Sequence, residues 1–323
     1  MDLRGGIGKW GVVVSIALAL AMCILSYIYK PVDLYRIEDG ICLNSPDSWN
    51  LPPFLSWLLN TLLTGVLCIS LYFINKSYNF IRTTEPVLVA VFVIMAASSP
   101  WFTERLNTST LLCFANLSAL AIIFNAYESK NATQSLFFLG AISSFGSMFQ
   151  YAFIWMCVLY LVWAILMKVM RFKEFLAFIL GLATPYWISL GFGFISINDF
   201  HWPVLVPLFN SIKDYSDVWI LLGGIGLATI LGLATFMINS MKLYAGNSRV
   251  NAMNLCVTLL GLWILICMLV DYENIPAYVI TLYMCVAIQI ANICAVWHFS
   301  YKWIVTVIPD SLFILLFIGS MLL

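Results

Sequence analysis

Residues 10–29 read WGVVVSIALALAMCILSYIY. The stretch carries no charge, and a helix needs about 20 predominantly apolar residues to cross a bilayer. Arg4 and Lys9 precede it, as in a signal peptide, but signal peptides usually have an apolar run of about 7–15 residues. The stretch therefore predicts an uncleaved first transmembrane helix, with the N-terminus in the cytoplasm.

The composition of the whole chain points the same way. Of 323 residues, 63% are hydrophobic and 9% are charged, with fifteen Lys and Arg against fifteen Asp and Glu. A soluble domain carries about 25% charged residues, so this chain lacks the polar surface that a soluble body needs. The composition excludes a cytosolic enzyme, a disordered chain, a disulfide-rich secreted domain and a basic nucleic-acid binder. It predicts an all-α, polytopic integral membrane protein with one transmembrane domain over residues 1–323.

Hydropathy and chain breaks predict about eleven transmembrane helices, or ten if 134–168 is one span. Prolines stand at several predicted helix starts, where the missing N–H costs little. The predicted spans lie near residues 10–29, 53–75, 86–102, 109–127, 134–149, 150–168, 174–196, 217–239, 252–270, 276–297 and 303–322.

The segment 134–168 is too long for one span and short for two, and positive charge decides between these readings. Its middle, residues 143–150, reads SSFGSMFQ, which suits a turn. Lys and Arg concentrate on the cytoplasmic side of membrane proteins. With two helices, eleven of the fifteen Lys and Arg fall inside, and those outside are Lys30, Arg36, Arg105 and Lys213. One helix would reverse every later loop, so we predict a helical hairpin.

Two predicted outer loops, 30–52 and 196–216, are long enough to carry a function. The first has an acidic cluster that includes Asp33 and Asp39. A carboxylate there can act as a general base toward a hydroxyl or hold a divalent cation. The second loop has a carboxylate, an imidazole and an indole that could bind a sugar or phosphate: Asp199, His201 and Trp202. The alternative for both loops is a solvated surface without a site.

Soluble-enzyme motifs are absent from the sequence, which has no P-loop, GxGxxG, GxSxG or HExxH pattern. Asp310 follows Pro309 in the last predicted span and is the clearest ionisable residue at membrane depth. Such residues can mark substrate or proton pathways. A polar path through Asp310 and Gln289 would indicate a transporter, whereas a later start of the span would leave Asp310 near the inner interface.

Several segments of the first 200 residues form a recognisable order: one span, an acidic outer loop, a Pro-Pro start of the second span, and later helices. The segments are 33–35, 51–55 (LPPFL), 99–102 (SPWF) followed by 111–127, then 136–168 and 182–186 (LATPY). This order resembles the GT-C class of membrane glycosyltransferases, although the first loop is short for that class. Residues 107–195 also resemble an inner-membrane family common in Bacteroidota, most closely in 171–176 and 181–186.

The resemblance implies a GT-C-like helical core over 1–200, with C-terminal helices over 217–323, in the bacterial inner (cytoplasmic) membrane. It implies transfer of a sugar from a polyprenyl-phosphate donor to a cell-envelope acceptor. The roles implied are catalysis by Asp33 or, second, Asp39; donor-phosphate binding by Arg36 or Arg105; and acceptor binding by Asp199, His201 and Trp202.

Two other functions remain open from the sequence. A non-catalytic scaffold or subunit of an envelope assembly complex would have a membrane-protein partner and would need no single outer carboxylate. A small-molecule or lipid transporter would need a polar path across the bilayer. The expected partners are membrane lipids, with no nucleic acid, and no cofactor is predicted unless a divalent cation binds the acidic loop.

Overall fold

The computed structural model describes residues 9–29, 39–81, 87–129, 131–202, 216–243, 248–296 and 302–322. These ranges form α-helices joined by loops and short 3-10 turns, and they contain no β-strand. The helices are α1 (Lys9–Tyr29), α2 (Pro53–Tyr78), α3 (Val87–Ala97), α4 (Thr108–Asn125), α5 (Thr133–Phe149), α6 (Ala152–Leu166), α7 (Phe172–Gly191), α8 (Ser216–Leu243), α9 (Ser248–Val270), α10 (Ile275–Val296) and α11 (Lys302–Leu322).

The all-α fold is confirmed by these helices. Within the described ranges, eight are long and apolar enough to cross a membrane, namely all except α3, α5 and α6. Eight such helices are consistent with a polytopic membrane protein. The exact number of spans and the GT-C-like arrangement stay predictions.

The hairpin predicted in 134–168 is present as α5 and α6. Gln150 has extended backbone angles (φ −158°, ψ 129°) and separates the two helices. The N–H of Glu128, before α5, donates to the carbonyl of Met167, after α6, over 3.1 Å. The two helices therefore run in opposite directions, and the prediction of two helices is confirmed.

Two predicted spans end earlier than expected. The helix predicted over 86–102 ends at Ala97, because Pro100 restricts the residue before it to extended angles, and Ser99 has φ −119° and ψ 121°. The helix predicted over 174–196 ends at Gly191. There Gly193 adopts the left-handed conformation (φ 72°) that commonly terminates helices.

α10 occupies the centre of the bundle. Residues 275–294 of this helix are all buried. It packs against α3, α4, α8, α9 and α11. A helix that is apolar on all faces needs neighbours on all sides, which explains why this late segment of the chain lies at the core.

Hydrogen bonds place several loops at one end of the bundle. The N–H of Ile41 donates to the carbonyl of Ser147, near the end of α5, and the N–H of His201 donates to the carbonyl of Ile41. Asp47 accepts from Thr108, at the start of α4. We call this end the outer end, after the predicted orientation, and the opposite end the inner end.

Candidate functional site

A groove of about 680 Å³ lies between α1 and α2. Both helices pack against α3, which forms its floor. The groove is open along its side, since Leu20 of α1 and Ile69 and Phe73 of α2 are exposed. Its lining is Val12, Ile16, Ala19, Leu20, Cys23, Asn60, Thr61, Thr64, Gly65, Cys68, Ile69, Tyr72, Phe73, Val89, Val93, Ala96, Ala97, Phe102, Thr103 and Ile280.

The amide and hydroxyl groups of the lining are concentrated at the outer part of the groove. Asn60 donates from Nδ2 to the carbonyl of Phe102 over 2.6 Å, and Thr103 donates from its hydroxyl to that of Ser26 over 3.0 Å. Thr64 donates to the carbonyl of Asn60 within its own helix. These bonds satisfy the polar groups, so most of the groove offers an apolar surface.

The loop after α3 closes the outer end of the groove. Leu106 donates its N–H to the hydroxyl of Ser56, in α2, over 2.9 Å. Asn107 caps α4 by accepting from the N–H of Thr110 over 2.8 Å. Arg105 is exposed in this loop, two residues after Thr103 of the lining. The predicted phosphate-binding arginine therefore belongs to the loop that borders the groove.

The described part of the first outer loop is fixed by its own carboxylates. Asp39 accepts through Oδ1 from the N–H of Ser45 over 2.9 Å and from the hydroxyl of Ser48 over 3.4 Å. Asp47 accepts through Oδ2 from the N–H of Thr108 over 3.1 Å and also from its hydroxyl. Asp39 and Asp47 thus brace the loop. The remaining two predicted residues of this loop, Asp33 and Arg36, lie outside the described residues.

The second outer loop packs on the first. Asp199 accepts from the N–H of Ser196 over 2.7 Å, and this bond lowers the pKa of the Asp199 carboxyl. The N–H of His201 donates to the carbonyl of Ile41 over 2.9 Å, and Tyr151 donates its hydroxyl to the carbonyl of His201. Burial raises the pKa of the Cys42 thiol to about 11, with a further contribution from the Asp199 carboxylate.

These contacts unite some of the predicted site residues and not others. The backbone of His201 pairs with the loop that follows Asp39, and Asp199 lies close enough to influence Cys42. Trp202 is exposed beside them. No hydrogen bond or ion pair among the described residues joins Asp39 to Arg105. In the same part of the chain, no three His, Cys, Asp or Glu residues come together as metal ligands do.

One outer network was not predicted from the sequence. Asp271, buried between α9 and α10, accepts from Asn274 over 2.7 Å and from the hydroxyl of Tyr278 over 2.9 Å. Gln150 donates to Asn274 over 2.8 Å and links the network to the α5–α6 turn. Burial raises the pKa of the Asp271 carboxyl against these hydrogen bonds. The sequence gives no sign that residues so far apart along the chain interact, although Asp271 can be recognised as an acidic residue after an apolar run.

A second polar cluster joins α8, α9 and α10 towards the inner end. Asn239 donates to Gln289 over 3.0 Å, and Gln289 donates to Thr258 over 3.0 Å. A cavity of about 50 Å³ lies beside Thr258 and Gln289. Asp310 is buried within α11, which continues through Pro309, and its position at membrane depth stays a prediction.

Fold and site together define an all-α protein of membrane type with a lateral apolar groove beneath a layer of outer loops. Comparison with known proteins adds no relative: no family model, no curated protein and no solved structure matches this chain.

Proposed function

We propose that this protein is a GT-C-like membrane glycosyltransferase that uses a polyprenyl-phosphate-linked sugar in cell-envelope glycan assembly. The groove between α1 and α2 carries this proposal. From Asn60 to Phe73 the groove follows about 20 Å of α2 at 1.5 Å per residue, which is about two-thirds of a bilayer's hydrocarbon core. Its apolar lining and open side suit a lipid chain that enters from the bilayer.

The groups at the outer end suit the rest of such a donor. Arg105 is exposed in the loop that borders the groove, and a guanidinium binds phosphate oxygens bidentately. A phosphate held there would present its sugar to the outer loops. Asp199, His201 and Trp202 would then contact the acceptor, with Arg36 as a second candidate for the phosphate.

The reaction needs one base. The acceptor hydroxyl oxygen attacks the anomeric carbon, its proton passes to a carboxylate, and polyprenyl phosphate leaves with the electrons of the broken C–O bond. Asp33 is the first choice, because it stands four residues after α1 ends at Tyr29. Asp39 is the second choice, although its Oδ1 already accepts two hydrogen bonds from the loop.

The test uses protein in nanodiscs, mass spectrometry of co-purified lipid, and transfer from a synthetic polyprenyl-phosphate sugar to envelope extract. A Cβ at Gly65, in the groove, meets nothing within 4 Å, and the same holds for the exposed Gly223 of α8. We expect Gly65→Leu to lose bound polyprenyl lipid and transfer, and Gly223→Leu to retain both. Asp33→Asn should retain the lipid and lose transfer.

The outcomes separate lipid binding from catalysis. Polyprenyl lipid that survives in Gly65→Leu would remove the groove from the proposal. Full transfer by both Asp33→Asn and Asp39→Asn would remove the two carboxylates from catalysis. Bulk phospholipid alone, with a stoichiometric protein partner, would contradict the transferase and favour a scaffold.

A further inference from the structure

The segment that follows α7, residues 192–202, has an exposed surface dominated by large apolar side chains. The side chains of Phe192, Phe194, Ile197 and Trp202 are between 75% and 90% exposed, and Trp187 in the last turns of α7 is 80% exposed. Asp199 is the only acid in the segment, and its carboxylate already accepts from Ser196. A loop in water would not normally expose so many large apolar side chains within one short segment.

Hydrogen bonds give this segment one defined conformation. The N–H groups of Gly193 and Phe194 donate to the carbonyls of Leu190 and Ser189 over 3.1 and 2.9 Å. This pattern is the Schellman motif, which ends a helix and turns the chain. Ser196 and Asp199 then form a reciprocal capping box around a 3-10 turn. The exposed side chains are therefore held on a fixed backbone.

The segment folds back beside α7 rather than extending away from it. The ring of Phe200 packs on the ring of Tyr186, with centroids 5.9 Å apart. Tyr186 lies five residues before the end of α7, which corresponds to about 7–8 Å along the helix axis. The 20 residues of α7 measure about 30 Å, equal to the thickness of a bilayer's hydrocarbon core. Phe200 thus lies level with the last turns of a helix that is just long enough to cross that core.

We propose that residues 192–202 form an interfacial surface that contacts lipids of the outer leaflet. Aromatic side chains concentrate where headgroups meet acyl chains, and an apolar face lying in that plane gains free energy from burial. The level of Phe200 beside the last turns of α7, where Trp187 is also exposed, selects lipid as the occupant. This assignment moves Trp202 from the acceptor side of the proposed transferase to lipid, and it does not depend on the rest of that proposal.

The surface also sets the distance between the first outer loop and the membrane surface. His201 ends the segment, and its N–H donates to the carbonyl of Ile41. Lipid contact at Phe194 and Trp202 therefore holds residues 39–43 close to the headgroup layer, on the same side as the outer end of the α1–α2 groove.

Photocrosslinking tests the assignment with the full chain in phosphatidylglycerol–phosphatidylcholine nanodiscs. p-Benzoylphenylalanine replaces Phe194 or, in a second variant, Trp202. Leu180, exposed in the middle of α7, gives the lipid-facing control, and Asn131, exposed in the polar turn at the inner end, gives the aqueous control. Mass spectrometry then measures the yield of lipid adduct at each position.

We expect the adduct yields at 194 and 202 to match that at 180 and to exceed that at 131 several-fold. Yields at both positions that equal the yield at 131 would overturn the proposal. Crosslinks to a second copy of the chain, to another protein or to a glycan in place of lipid would also overturn it, because each would identify a different occupant for this surface.

Discussion

Two pairs of helices in this protein use glycine in opposite ways. In the α5–α7 pair, Gly140 lies against the carbonyl of Phe178, and Gly181 lies against the carbonyl of Phe137. In the α1–α2 pair, Gly65 faces open space within a groove of about 680 Å³. The first pair is closed by backbone contact, whereas the second is open to the side.

The two pairs are held in place by different interactions. Lipid tails are as apolar as the side chains, so helices in a bilayer associate through close packing and hydrogen bonds. Small residues let the backbones of α5 and α7 approach closely. α1 and α2 depend on α3 behind them, and an unfilled gap between them would forfeit dispersion contacts. The closed pair is complete without a ligand, while the open pair gains contacts from one.

The largest loss of stability is expected from a substitution that separates α5 and α7, the closed pair. A Cβ at Gly181 would overlap the carbonyl of Phe137, which is backbone and cannot turn aside. Gly181→Leu should therefore cost more than the about 1–3 kcal/mol typical of overpacking. The measurement is the yield of monodisperse protein and its thermal midpoint, with Gly223→Leu as the control. Equal midpoints for the two variants would mean that the α5–α7 contact is not close.

A smaller loss of stability is expected from removing hydrogen bonds at the outer end of α1 and α2, the open pair. Asn60→Leu leaves the carbonyl of Phe102 and the hydroxyl of Thr110 without their bonds to Asn60. Both groups keep a hydrogen bond to Asn107, so the expected loss is that of ordinary hydrogen bonds, each worth about 0.5–1.5 kcal/mol. Thr61→Val is the matched control, because Thr61 donates only to the carbonyl of Trp57 in its own helix. A midpoint for Asn60→Leu no lower than that of Thr61→Val would contradict this role.

Asp47 holds the first outer loop against α4 by accepting hydrogen bonds from Thr108, and its contribution to stability should depend on pH. Burial raises the pKa of Asp47 above its ordinary value, so the folded state favours the protonated form more than the unfolded chain does. The contribution of Asp47 to stability is then greatest below the unfolded pKa of about 4 and falls as pH rises through the folded pKa. Asp47→Asn still accepts from Thr108 and does not titrate. The free energy of unfolding of the wild type should thus decline relative to Asp47→Asn as pH rises, and a difference that stays constant would contradict the prediction.

The smallest change in stability is expected from filling the groove. Replacing a helical glycine gains up to about 1 kcal/mol from helix propensity, and a Cβ at Gly65 meets no neighbour within 4 Å. In detergent stripped of lipid, Gly65→Leu and Gly223→Leu should therefore raise the thermal midpoint equally. Adding polyprenyl lipid should then stabilise Gly223→Leu more than Gly65→Leu. Equal stabilisation by the lipid would show that it binds elsewhere.

Much of this comparison could not be predicted from the sequence. Apolar length and charge bias predicted the helices and the α5–α6 hairpin, since both depend on local composition. The boundaries at Ala97 and Gly191 differ because Pro100 and Gly193 act on a single turn of backbone. Gly140, Gly181 and Gly65 look alike in apolar runs, and only the relative position of the helices distinguishes contact from open space.

The candidate site was predictable to a similar degree. Asp39 and His201 could be selected as polar residues in outer loops, but not the pairing of Ile41 with the backbone of His201. The groove has no motif, because it is a gap that three helices leave between them. Asp33 stays a prediction, as it lies outside the described residues.

The central position of α10 has a consequence for biosynthesis. This helix leaves the ribosome after α3 and α4, yet both of them pack directly on it. Those earlier helices must wait in the bilayer, with the surfaces that will meet α10 covered by lipid or by the insertion machinery, until residue 296 has been synthesised. The bundle therefore cannot assemble until α10, its central helix, has been synthesised. A chain truncated before α10 would be expected to leave inserted helices without a core.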